Sequence, residues 1–123
     1  MTLRTTLIAL SVVVPTLVFA QASVDLSGNR PATPGVTRSP LKDDPKYSVV
    51  RVTFAPGKGE VPHTHPYDIM IIPVKSGPAV IMVGDSKTAS VKAGEVQFVP
   101  HDVVHSVTNT GTVEFEVITV GIK

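Results

Sequence analysis

The sequence predicts an all-β domain, and three observations carry that expectation. Eight short runs rich in β-branched and aromatic residues follow one another at near-regular spacing, each closed by turn residues. Nine Gly and eleven Pro in 123 residues interrupt the chain too often for long helices. Within the runs apolar residues alternate, which is the period of an extended strand. Together these features point to a β-sandwich or a small barrel.

The runs cover residues 47–54, 61–65, 67–74, 79–83, 86–92, 95–99, 104–109 and 113–122. Between them lie APGKG, Pro66, KSGP, Gly84-Asp85, Ala93-Gly94, PHD and NTGT. In the first run Val50, Val52 and Phe54 fall on one face, and in the last Val113, Phe115 and Val117 do so. The opposite faces carry Tyr47, Val49, Ile118 and Val120, so the strands are apolar on both sides. Two buried faces or a packed homodimer would account for that. Phe54, Phe98 and Phe115 are expected in the core.

The length has room for one domain, and a 42% hydrophobic content is enough for its core. Residues 1–22 open with a basic start ending at Arg4, continue with the apolar TTLIALSVVVPTLVFA, and end on Ala20-Gln21-Ala22, a small-x-small cleavage pattern. This predicts a cleaved signal peptide, cut after Ala20 or Ala22, and an exported chain, periplasmic or extracellular, with no stable membrane span after cleavage. Residues 23–46 are polar and broken by Pro31, Pro34, Pro40 and Pro45, so they read as an irregular lead-in. Residues 47–123 remain as the barrel domain.

Losing residues 1–22 removes Arg4 from the eleven basic residues and no acidic one, which leaves ten against ten. A balanced surface gives no electrostatic footprint for nucleic acid or an anionic membrane. The absence of cysteine excludes disulfides, thiolate ligands and thiol nucleophiles. No Ser-His-Asp arrangement or phosphate-cradling glycine loop is visible.

What the chain does offer is histidine. His63 and His65 are one residue apart, and on an extended strand such a pair projects from one face toward one point. His105 downstream supplies a third imidazole. Three neutral imidazoles suit a divalent transition metal, and Fe, Mn, Ni, Cu and Zn all accept them, so the ligand type does not name the ion.

The spacing around these histidines is specific. Gly57, five residues, His63, one residue, His65, four residues, Met70, six residues and Gly77 form a first motif. Gly94, five residues, Pro100, one residue, Asp102, two residues, His105, three residues and Asn109 form a second. The pair resembles the two signature motifs of the cupin superfamily, over about half of the chain that follows the leader. That resemblance implies a double-sheet jelly roll, a cupin β-barrel, with a metal on His63, His65 and His105 and a small-molecule ligand or substrate. Cupin chemistry ranges from dioxygenases and isomerases to non-catalytic sugar-sensing and storage proteins, so the fold alone selects no reaction.

Two departures from the pattern stand out. The family's Glu ligand falls on Met70, or on Ile69 if the variable gap is one shorter, and neither is a carboxylate. Met70 is then either a core methionine or a thioether ligand, and thioether coordination would favour copper. In the second motif Asp102 replaces the usual Gly, and Asp tolerates a left-handed turn better than most residues. Around the histidines, Tyr67 and Asp68 are candidates to support an imidazole from behind, or in the case of Asp68 to form a surface ion pair. His101, with Asp102 beside it, is expected at the pocket rim. An enzyme would draw its acid or base from Tyr67, Asp68, His101 or Asp102. The expected function is a metal-dependent dioxygenase or isomerase acting on a small chelating substrate, with a non-catalytic ligand- or metal-binding cupin as the alternative.

Overall fold

The computed structural model describes Ser23, Leu26 and residues 32–123. The expected signal peptide at residues 1–22 lies outside the described residues. Eight strands make up the fold: β1 (Val36–Asp43), β2 (Tyr47–Phe54), β3 (Asp68–Pro73), β4 (Gly77–Val83), β5 (Ser86–Val91), β6 (Gln97–Val99), β7 (His105–Asn109) and β8 (Phe115–Ile122). They build a five-stranded sheet in the order β1-β2-β8-β3-β6 and a three-stranded sheet in the order β5-β4-β7. Every strand pairing is antiparallel. Among the described residues no helix is long and apolar enough to cross a membrane.

Strand alternation puts one side chain in two between the sheets. Val50, Val52 and Phe54 of β2, Ile69 and Ile71 of β3 and Phe115 and Val117 of β8 meet Ala79 and Ile81 of β4 and Val107 of β7 in one buried cluster. Each large aliphatic or aromatic side chain so buried contributes about 1.5–3 kcal/mol. The periodicity in the first run therefore located its inner face correctly. Two expectations fail: Val113 lies before β8 and is 71% exposed, and Phe98 is 54% exposed on the outer face of β6.

Two strands also differ from the sequence expectation. The stretch read as an irregular lead-in contains β1, which pairs along β2 from Val36 opposite Phe54 to Asp43 opposite Ser48. The one proline of this strand, Pro40, is tolerated because β1 is an edge strand, where a missing N–H need not face a neighbour. The ladder shifts register between Pro40 and Lys42. Conversely, residues 61–65 form no named strand. They run beside β7 through single contacts, because Pro62 lacks the N–H a continuous ladder would need.

That irregular run is nonetheless tightly held. The Asn109 N–H donates to the Lys58 carbonyl and the Glu60 N–H to that of Val107, at 2.8 and 3.0 Å. Gly59 faces Thr108 so closely that an added Cβ would lie 2.7 Å from the Val107 carbonyl oxygen, so only glycine fits. At the far end of β7 the buried Asn109 side chain donates to the carbonyls of Phe54 and Val113 and accepts from the Gly111 N–H. It thus ties β2, β7 and the turn into β8 together. Asn109→Ala strands these backbone groups in a dry environment and is expected to cost about 1–3 kcal/mol. Urea unfolding checks this, and an unchanged midpoint would show that the side chain is not a structural tie.

Candidate metal centre

The site forms where the 58–65 run meets the start of β7. His63 and His105 are paired through both backbone hydrogen bonds, His63 N–H to the His105 carbonyl at 3.1 Å and His105 N–H to that of His63 at 3.0 Å. Their rings lie with centroids 4.3 Å apart. His65, two residues along, turns its ring to the same space, with centroids 4.9 Å from each of the other two. All three side chains are buried, at 2 to 3% exposure, and one ring nitrogen from each lies within 4.8 Å of the others.

Backbone carbonyls orient two of the rings. Nδ1 of His63 lies 2.8 Å from the Val61 carbonyl oxygen, and Nδ1 of His105 lies 3.0 Å from that of Val103. A carbonyl only accepts, so Nδ1 carries the proton in both residues and Nε2 presents its lone pair. Metal-binding imidazoles are held this way, with the outer nitrogen tied to an acceptor and the inner one left to the ion. The residues present therefore fit a transition metal. His65 is backed by Tyr67, whose ring stacks nearly parallel to it at 6.2 Å and whose hydroxyl accepts from the Leu26 N–H.

The turn inside the second motif holds the left-handed conformation that the sequence anticipated. Asp102 has φ 60°, and the Val103 N–H closes the turn onto the Pro100 carbonyl at 3.3 Å. The Asp102 N–H donates to the His65 carbonyl at 2.9 Å, so its backbone fixes His65 from across the site.

Met70 requires a correction. It sits on the outer face of β3, opposite in direction to Ile69 and Ile71, which line the cavity beside the histidines. The strand period of two turns its sulfur away from the site, so it does not suit a fourth ligand. The inward side chain at the place of the family's Glu is Ile69, which is 1% exposed. Asp68, His101 and Asp102 do not line the cavity either. Asp68 instead accepts from both the His101 backbone N–H and its Nδ1, at 2.8 and 2.9 Å, as an exposed pair.

Two residues that sequence reasoning passed over do line the cavity. Glu60 Oε2 lies 3.7 Å from His63 Nε2, while Oε1 accepts from Nε and Nη2 of Arg38 at 3.1 and 2.7 Å. Arg38 comes from β1, in the stretch read as an irregular lead-in. With Leu26 and the core residues they enclose a cavity of about 10 Å³, roughly room for one water-sized sphere.

Two antiparallel sheets closed around three inward histidines that could hold a metal ion define a small β-barrel of the double-stranded β-helix type. Residues 50–121 match the cupin domain family model, and the chain belongs to that family. Over 94 residues it is 37% identical to Germin-like protein 1-1 of Oryza sativa subsp. japonica, which covers 68% of this chain and 43% of that one. The chain thus spans less than half of that relative's length. A cupin domain from Bordetella pertussis Tohama I superposes with TM-score 0.64 at 24% identity, covering 76% of this chain and 99% of the other. A double-stranded β-helix domain from Klebsiella pneumoniae subsp. pneumoniae gives TM-score 0.64 at 26% identity, with 76% and 81% coverage. An RmlC-like cupin from Shewanella frigidimarina gives 0.64 at 22%, with 72% and 76%.

The Asp68–His101 pair has a pH signature. The His101 backbone N–H and imidazole hold Asp68 below the usual carboxylate range, and the Asp68 carboxylate holds His101 above the usual histidine value. The pair's contribution is complete between the ordinary Asp and His values. It is lost as pH rises through the raised His101 pKa, and as pH falls through the lowered Asp68 pKa. Asp68→Asn is expected to bring the His101 midpoint down toward the ordinary value. A ring-proton NMR titration reads this, and an unmoved midpoint would contradict the assignment.

Proposed function

We propose that this cupin binds one divalent transition metal ion on His63, His65 and His105 and presents it to a small chelating organic ligand in an exported compartment. The observation that carries the reading is the convergence of three buried imidazoles, two with Nδ1 tied to carbonyls so that Nε2 faces the others. A bound ion would supply Lewis acidity or, with Fe, Mn or Cu, redox chemistry. Metal-dependent oxidation by a dioxygenase, or isomerisation, is the catalytic form of this reading. Export rests on the leader-like residues 1–22.

A non-catalytic metal- or ligand-binding cupin is the second reading, and the small cavity favours its metal-only form. About 10 Å³ accommodates an ion or a water but no organic molecule. Substrate turnover would require that cavity to widen, and oxygen uptake with candidate chelating substrates separates the two readings.

Elemental analysis of the protein recovered from its export route is expected to show close to one metal per chain, on a mass beginning at Gln21 or Ser23. Replacing His63 and His65 together by Ala is expected to abolish metal retention while circular dichroism stays that of a folded β-protein. Full metal content in that variant would sink the site.

The reading includes a homodimer formed through the outer face of the five-stranded sheet. There Met70 lies between Phe98 and Val120, Val120 pairs with Val49, and Ile72 pairs with Ile118, an apolar surface across four strands. Tyr47, Phe98 and Ile122 on this face are 38, 54 and 47% exposed, and a second copy related by a two-fold axis would cover the same patch on both chains. Phe98→Asp is expected to convert a dimer into a monomer by light scattering; a wild-type monomer at micromolar concentration would refute this part.

A further inference from the structure

The centre lacks the carboxylate that its motif leads one to expect, since the inward side chain at that place is Ile69. A carboxylate nonetheless reaches the cavity, from the other side of the histidines. Glu60 precedes His63 by three residues, its side chain is 8% exposed, and Oε2 lies 3.7 Å from His63 Nε2. That separation is too long for a hydrogen bond. It suits two donors sharing one ion, because atoms each about 2.1 Å from a metal are about 3.0–4.2 Å apart for angles from 90° to 180°.

The orientation is imposed. Nε and Nη2 of Arg38 both donate to the same oxygen, Oε1, and Nη2 also donates to Thr33 Oγ1 at 3.3 Å. Behind Glu60, its own N–H donates to the Val107 carbonyl, and Gly59 packs without a side chain against Thr108. The carboxylate is therefore anchored at its backbone and at one oxygen, and the second oxygen is directed along the His63 side of the cavity. Three neutral imidazoles leave the full charge of a divalent ion uncompensated, and among the described residues the acidic group lining the cavity is this one.

We infer that Glu60 is the carboxylate of this metal centre, joining His63, His65 and His105 through Oε2 while Arg38 holds Oε1. The assignment moves the anionic ligand from β3 to the loop before the histidines. It also gives Arg38, and through it β1, a part in metal binding, as the positioning residue for Glu60. The inference rests on the three-histidine reading, and its test separates the two.

Co(II) binding, with a competing chelator to measure affinity and visible absorption to read the coordination, is compared in the wild type, Glu60→Gln and His105→Ala. Gln keeps the size of the side chain and an acceptor for Arg38 but removes the charge. Glu60→Gln is expected to bind Co(II) about tenfold or more weakly, with shifted visible bands. Affinity and bands unchanged from a wild type that binds would overturn the role of Glu60 and leave the histidine site standing. A wild type that binds no Co(II), or a His105→Ala variant that binds as tightly as the wild type, would overturn the histidine site and this inference with it. Should Glu60→Gln fail to fold, Glu60→Asp keeps the ion pair and withdraws the carboxylate by one methylene. It is expected to weaken binding in the same direction, and unaltered affinity there would overturn the proposal.

Discussion

The reciprocal backbone hydrogen bonds between His63 and His105 are the constraint on which the site depends. They join two segments separated by about forty residues, and they do so at two of the three candidate ligands themselves. Everything nearby serves that junction. Gly59 lets the 58–65 run approach β7, the left-handed Asp102 turns the chain so that its N–H reaches His65, and Asn109 secures the other end of β7. The geometry of the imidazoles is thus set by main-chain bonds, which do not depend on rotamer choice.

Much of this was legible in the sequence, for identifiable reasons. β2 was found with its true boundaries because Val50, Val52 and Phe54 alternate cleanly and turn residues follow. His63 and His65 stand out because i, i+2 spacing carries its own geometry, and His105 because of its place in the second motif. β1 was missed because proline counts against a strand, and only its position at a sheet edge removes the objection. Met70 and Ile69 were indistinguishable in a motif with a variable gap. Pairing with Val120 and Phe98 on one side and Gly121 and Val99 on the other decides which faces inward. Glu60 and Arg38 carried no local signal, since their pairing spans 22 residues and one partner lay in a stretch read as irregular.

The Arg38–Glu60 pair is costly where it sits. Both side chains are largely withdrawn from water, at 15 and 8% exposure, and such pairs often recover little more than their desolvation penalty. Removing one partner costs about 3–5 kcal/mol because the other charge is left buried. A pair of this kind is better understood as fixing an orientation than as supplying stability. Its place at the wall of the histidine cavity agrees with that, as does the nearly filled interior around it.

The ends of the five-stranded sheet have a consequence for how the molecule meets its neighbours. One border is β1, with Pro40, a register shift and Lys42 along it; the other is β6, only three residues long. Both are poor templates for an incoming strand, because proline offers no donor, the shift bends the ladder, and three residues give too few bonds. The face between these borders is apolar apart from the Arg51–Glu116 ion pair on β2 and β8. Association by strand addition, the route to fibrils, is therefore blocked at the rims, and any contact the sheet makes must form across its surface.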